Sequence, residues 1–421
     1  MPTYPFSSPG IWLSQPFGDF LVTSIPARVL LDNAYSDRLT AIKQPDGTYK
    51  LDGSQRVLAE PRLKEIGLFI DSAGACFPNT IILAANYRES DGLNEDVEPD
   101  KWFFTHDRVN NTCVLTIPTE GKRAAIIDGQ HRLFGFDFVS KPDRLDMPLV
   151  CAIYFELPKS YQARLFATIN STQRPVNKSQ TYELFGYNIE AESADKWTPE
   201  KLSVFMARKL NADEESPFYN HIIVPADNDF SPTLSSARRA GDWAVSLATI
   251  VEGIVRLISN NPKTDSFKMA GELRYTGHSR SVLDRGSIER TPLRELYLEG
   301  NDSLIYTAIN NYFKAVKSTL WHEVVAESYI RKTVGIQALF DISRRLIHKG
   351  VAEHDLRVET FTDQLSPTAR LDFSDNFFHA SGASRIAIRK MLEFVLRWKT
   401  LTEEEPNYHE YRRLLDMCSV S

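Results

Sequence analysis

The chain has 421 residues, 42% of them hydrophobic and 25% charged, with a formal net charge of -6. That balance excludes disorder over most of the length and leaves room for two or three domains. It also excludes duplex-DNA binding through the overall field, so any nucleic-acid contact must come from a local patch or through a partner.

No apolar stretch approaches the roughly 20 residues needed to cross a bilayer, and no membrane association is expected. The opening "MPTYPFSSPGIWLSQPF" has no basic start and no continuous apolar run, so it does not read as a secretory signal. Cys76, Cys113, Cys151 and Cys418 are scattered and form no CxxC. They read as free or buried thiols of a reducing cytoplasm, and no zinc site is expected.

In chain order, "FLVTSIPARVLL" reads as a strand and "PDG" in "KQPDGTYK" as a turn. "AEPRLKEIGLFIDSAG" predicts a helix with Leu63, Ile66, Phe69 and Ile70 on one face. "FPNTIILAANY" predicts a buried strand, and "ESDGLNEDVEPDK" an acidic loop. "TCVLTIP" and "RAAIIDG" read as a pair of strands about the turn "TEGK". "LFGFDFVSKP" follows as a short helix with Leu133, Phe134 and Phe138 facing the core, then "MPLVCAIYFEL" as a strand. "PKSYQARLFATINSTQ" predicts a helix opened by Pro158. The chain breaks at Pro175 and restarts with Asn177 or Ser179 as an N-cap.

From about residue 195, helical spacing dominates in segments such as "SARRAGDWAVSLATIVEGIVRLIS" and "KTVGIQALFDISRRLI". Trp243, Trp321 and Trp398 fall in these patterns and read as core rather than stacking platforms. "GELRYTGHSRSVLDRGSIERT" is a polar insertion; its Arg280, Arg285 and Arg290 read as a solvated loop or as a mobile contact to a phosphate backbone. Arg238 and Arg239 read as helix-surface charges. The expected organisation is α+β: a mixed α/β domain over 1–190 and a mostly helical domain over 191–421 that offers a surface to a partner or to DNA.

One stretch carries the chemistry. In "AAIIDGQHRLFGF", a buried strand runs directly into Asp128, Gly129, Gln130, His131 and Arg132. A strand that turns into a helix presents unpaired backbone N–H groups. Gly129 allows close approach to the backbone, and His131 and Arg132 add donors, so the turn suits an anion such as phosphate. Asp128 is placed to hold Mg2+ or to orient a water toward a phosphoryl group. The plainer reading makes Asp128 an N-cap and Arg132 a surface ion pair. There is no Walker A sequence, no GxSxG, no HExxH and no cluster of paired carboxylates.

The segment "IIDGQHRLFG" resembles the signature of the DGQHR-domain family, which includes the DndB proteins of DNA phosphorothioation and the DpdB proteins of 7-deazaguanine DNA modification. "LDGSQRVLAEPRLKEIGLFIDSAGACFPNTIILA" and "LFATINSTQRPVNKSQTYEL" resemble its flanking segments, so the likeness covers roughly residues 17–186. It implies a ParB/sulfiredoxin-like core with a nucleotide at the strand-turn-helix junction. It implies an ATP-binding and ATP-hydrolysing protein that uses ATP and Mg2+, with Asp128 and His131 catalytic and Asp128 at the metal. The nucleotide-binding set so implied is Gln55, Arg56, Gly129, Gln130, His131, Arg132, Asn170, Arg174 and Lys178. Each also has a plainer reading: Gln55 and Arg56 as the start of a helix, Asn170 as a helix cap, Arg174 and Lys178 as solvated charges. The implied partner is a DNA-modification enzyme, transglycosylase-like or of a sulfur-transfer system, in phage defence, with DNA contacted directly or through it; a homo-oligomer is compatible. Two other readings stay open: a DndB-like transcriptional regulator that binds operator DNA without catalysis, and a scaffold that has lost turnover.

Overall fold

Two faces of one sheet, covered to different extents, organise the first half of the chain. The computed structural model describes every residue except 1, 37–39, 44–48, 53–57, 89–91, 94–98, 108, 111, 173–177, 186–188, 190–191, 224–242, 271–277, 287–288, 323, 326 and 420–421. The protein is mixed α and β and divides into two compact units. One is Met1–Pro175 with Ala270–Thr276; the other is Val176–Met269 with Gly277–Ser421.

In the first unit the chain runs β1 (Phe6–Gln15), β2 (Gly18–Pro26), α1 (Ala27–Asn33) and β3 (Ala34–Tyr35), then a short hairpin of β4 (Thr40–Lys43) and β5 (Tyr49–Asp52). It continues through α2 (Glu60–Asp71) and β6 (Ile81–Ala85) to a second short hairpin, β7 (Tyr87–Arg88) and β8 (Gly92–Leu93). Next come β9 (Phe103–Asp107), β10 (Thr112–Ile117), β11 (Ala124–Asp128), α3 (Gln130–Phe134), β12 (Pro148–Phe155) and α4 (Lys159–Thr172). The main sheet has the order β3-β11-β6-β12-β2-β1-β10-β9. β11 runs antiparallel to β6 and parallel to β3, while β6 and β12 are parallel.

The expected pairing of "TCVLTIP" with "RAAIIDG" is not formed. β10 lies between β1 and β9, and β11 between β6 and β3. The burial patterns explain this. β10 alternates buried and exposed positions, so one of its faces is open. On β11, Ala124 and Ile126 enter the large core on one face while Ala125 and Ile127 enter a smaller core on the other. A strand apolar on both faces needs an interior place with cover on both.

Three further expectations shift locally. The strand read over residues 20–31 ends at Pro26, which has no N–H to extend a ladder, and Ala27 opens α1. Phe138 is 37% exposed, whereas Phe136 is 1% exposed. The helix changes to a 3-10 turn over Gly135–Phe138, so the buried partner of Leu133 falls three residues on, at Phe136. Ser179 is no cap; it lies inside α5 (Lys178–Phe185), where its hydroxyl accepts from the Ala248 N–H at 3.1 Å. That bond, with Tyr182 packed on the helical core, draws the segment after 175 into the second unit, so the boundary precedes the expected 190.

The second unit continues with α6 (Pro199–Ala212), a short parallel pair of β13 (Ile222–Ile223) and β14 (Val245–Ser246), and α7 (Leu247–Ile258). Then come α8 (Pro262–Met269), α9 (Arg294–Leu298), α10 (Asp302–Thr319), α11 (Thr333–Ala352), α12 (Val358–Leu365), α13 (Gly382–Val395) and α14 (Tyr408–Ser419). α7 is apolar almost all round and buried accordingly, as a central helix should be. Trp321 is buried, and Trp243 and Trp398 pack against the same core, so all three act as core side chains.

Arg280 is no solvated or phosphate-contacting residue. It is 2% exposed and its guanidinium grips Asp302 at 2.6 and 3.0 Å, because a charge taken out of water needs a fork-shaped partner. Arg285 is exposed, 3.8 Å from Glu295. Arg238 and Arg239 lie outside the described residues, as does most of the acidic loop. Cys113 and Cys151 are buried free thiols and Cys76 is an exposed one. Among the described residues, no helix is long and apolar enough to cross a membrane.

Candidate functional site

The site forms where β11 ends. The β11–β6 ladder pairs Ile126 with Leu83 but Asp128 with Ile82, so β11 carries an extra residue there. Such a bulge re-aims side chains at a strand end. Asp128 accordingly sits half-buried at a cavity instead of continuing the buried run. Gly129 follows with φ 101°, a left-handed conformation that a side chain would disfavour. A Cβ there would also lie 3.1 Å from Ile81 and 3.2 Å from Nη2 of Arg132. Gly129 therefore turns the chain sharply and lets Arg132 fold back toward β6.

The guanidinium of Arg132 donates from Nη2 to Asp128 Oδ2 and from Nη1 to the Asn79 carbonyl, each at 2.7 Å. Its remaining N–H groups are donors without partners among the described residues. Asp128 Oδ1 likewise accepts no hydrogen bond among them. Gln130 is buried, and its side-chain oxygen accepts from the Ser36 hydroxyl at 2.6 Å. Its amide therefore anchors the turn. Asp128 is not the helix cap; that position belongs to Gly129. The helix beyond it has five residues, so its dipole is short and the side chains carry most of the site's charge.

α2 supplies the opposite wall. Gly135 and Gly67 allow this: a Cβ on Gly67 would come within 2.8 Å of Phe138, and one on Gly135 would collide with Ile66. The close packing brings the exposed Arg62 to the same cavity, its guanidinium making no hydrogen bond or ion pair among the described residues. The imidazole of His131 stands near it. Burial, and then the charge of Arg62, hold its pKa below the ordinary 6.5, which leaves the ring neutral at pH 7. α4 adds the apolar Phe166 and Ile169, and the "FPNT" segment adds Asn79 and Thr80. The cavity encloses about 800 Å³.

Of the residues expected from sequence, Asp128, Gly129, Gln130, His131 and Arg132 share this cavity. Gln55, Arg56 and Arg174 lie outside the described residues. Asn170 belongs to α4, one residue beyond the lining Ile169, and its side chain lies outside the described residues. Lys178 is a residue of the second unit, where its ammonium meets Glu252 of α7 at 2.7 Å. Sequence reasoning missed Arg62. The available signal was its helical spacing, four residues before Ile66 on the face of α2 that packs toward the motif. Asn79 was hidden because it acts through its backbone carbonyl.

Among the described residues, no group of three or more His, Cys, Asp and Glu side chains comes together as a metal site. The single carboxylate of Asp128, with one open oxygen, is a donor set suited to a magnesium ion that takes most of its ligands from phosphate and water. Comparison with known proteins finds no matching family model, no matching curated protein and no matching solved structure.

Proposed function

We propose that the first unit binds ATP in the cavity at the end of β11 and hydrolyses it in the service of a partner enzyme that modifies DNA. The observation that carries the reading is the meeting of Arg62, His131 and Arg132 with the open oxygen of Asp128 around one cavity. Its volume, about 800 Å³, lies in the range of ligand clefts. Two arginines from different elements suit a polyphosphate. Arg132 is already oriented by Asp128 and Asn79, so little order is lost when it takes up a phosphate oxygen. The apolar Phe166 and Ile169 offer a dry surface for the nucleoside.

In this reading the neutral imidazole of His131 accepts the proton of the attacking water. The water oxygen bonds to the terminal phosphorus as the anhydride bond to the leaving diphosphate breaks. Magnesium, when bound with the triphosphate, would neutralise phosphate charge, and Asp128 is the residue that would hold it.

The DGQHR-domain likeness of residues 126–135 and their flanking segments supports the DNA-modification setting, in base replacement or phosphorothioation. It likewise supports a ParB/sulfiredoxin-like origin for the strand-turn-helix junction, and a cytoplasmic location. ATP binding by calorimetry and phosphate release, measured for the full chain and for Arg62→Ala, Arg132→Ala and Asp128→Asn, test the proposal. Tight binding weakened by either arginine change, with turnover lost in Asp128→Asn, is expected. Absence of ATP binding, or binding and turnover unchanged in all three variants, overturns it.

A further inference from the structure

The second unit holds a cavity of its own, about 490 Å³, along one face of α11. Asp341, Arg344, Arg345 and His348 border it. Their spacing of three, four and seven places them on adjoining turns of one helix face. The segment with Glu289 and Arg290 forms another wall, and Trp398 and Lys399, beyond α13, a third.

The charges in this cavity do not balance among themselves. Asp341 is engaged by Arg385 through two hydrogen bonds, at 2.8 and 2.6 Å. Glu393 is engaged by Lys399 at 2.7 Å. Arg290, Arg344 and Arg345 have no carboxylate partner among the described residues, and Glu289 is the lining acid left to oppose them.

Two of these arginines are nevertheless held in place. Arg344 donates through Nε to the carbonyl of Arg290 at 3.1 Å, and Arg345 lies 4.6 Å over the ring of Trp398. Burial depresses the Arg344 guanidinium below its ordinary pKa; the charge of Asp341 opposes this, and the charges of Arg256 and Arg290 add to it. Like charges gathered around one cavity, with Arg344 partly taken out of water, are unfavourable until an anion joins them.

We propose that this cavity binds a phosphate group, carried either by a free nucleotide or by the backbone of a nucleic-acid strand. Planar guanidiniums arriving from two elements match the several oxygens of a phosphate. Trp398 is covered by Arg345 on one side and packs on the core, so it offers no face for a base. Recognition is therefore of phosphate rather than of sequence. The argument does not depend on ATP binding in the first unit.

The test uses the full chain carrying Arg62→Ala and Arg132→Ala, which weakens the first unit's contribution, with pyrophosphate and a short mixed-sequence single-stranded DNA as probes. Calorimetry and fluorescence anisotropy across a salt series compare it with the same chain carrying Arg344→Gln and Arg345→Gln. A loss of about 10-fold or more with an unchanged melting temperature supports the site. If only DNA binding falls, with the salt dependence flattened by about one phosphate contact per arginine, the source is a strand. If only pyrophosphate binding falls, the source is a free nucleotide. Should the double variant fold poorly, Arg290→Gln, at an exposed position, is read in its place. No binding of either probe, or equal binding by the variants, overturns the proposal.

Discussion

Arg132 joins the end of one strand to the approach of its neighbour: it donates to Asp128 at the close of β11 and to the Asn79 carbonyl just before β6, each at 2.7 Å. Lysine keeps the charge but is a point donor on a flexible stem, unable to hold both partners in one plane. Arg132→Lys should therefore weaken ATP binding by about 10-fold while lowering folding stability by only about 1 kcal/mol, the scale of a partly exposed ion pair. Urea denaturation beside a binding isotherm reads both; unchanged binding would show that the fork does not matter.

Arg62 is exposed and, among the described residues, its guanidinium makes no hydrogen bond or ion pair. Its removal should leave stability within about 0.5 kcal/mol, as for most surface changes. ATP affinity should fall about 10-fold, the loss expected of one charge-assisted hydrogen bond. A fall in stability without a fall in affinity would make Arg62 a structural residue.

His131 gives the site a pH signature. Its pKa is held below the ordinary 6.5 by burial and then by Arg62. The folded state thus binds the proton less readily than the unfolded chain, so stability rises with pH between the two values. The contribution is complete above pH 6.5 and is lost as pH falls through that value toward the folded-state pKa. A nuclear magnetic resonance titration of the imidazole should find its midpoint below 6.5 and moved upward in Arg62→Ala. A midpoint at or above the ordinary value, indifferent to Arg62, contradicts the arrangement.

The closeness of α2 to the motif depends on missing side chains. Gly67→Ala places a methyl group 2.8 Å from Phe138, and Gly135→Ala drives one into Ile66. Overpacking of this kind typically costs about 1–3 kcal/mol. Each variant should lower the urea midpoint, and ATP affinity should fall with it because Arg62 rides on α2. Equal stability to the parent would mean that the two elements can part freely.

Much of the site was legible because it is local. The turn at Gly129, the apolar run of β11 and the charged residues that follow are contiguous, so residue type and order alone point to an anion-binding junction. Arg62 and Asn79 were not legible as site residues. One arrives through helix packing that two glycines permit, and the other acts through a carbonyl that every residue possesses. Arg280 misled for the opposite reason: a Gly- and Arg-rich context reads as solvent-exposed, while the partner that lets it be buried, Asp302, is distant in sequence.

By itself the sequence determined most of the helices and the strands β2, β6, β10, β11 and β12, the change from mixed to helical character, and the residues of the Asp128–Arg132 turn, because periodicity and backbone preference act over a few neighbours. Only the tertiary structure decided that β11 joins β6 and β3 rather than β10, that Arg62 comes near His131, and that three arginines without carboxylate partners among the described residues meet beside α11. Those outcomes depend on which faces must be buried together, and that is a property of the whole fold rather than of any segment.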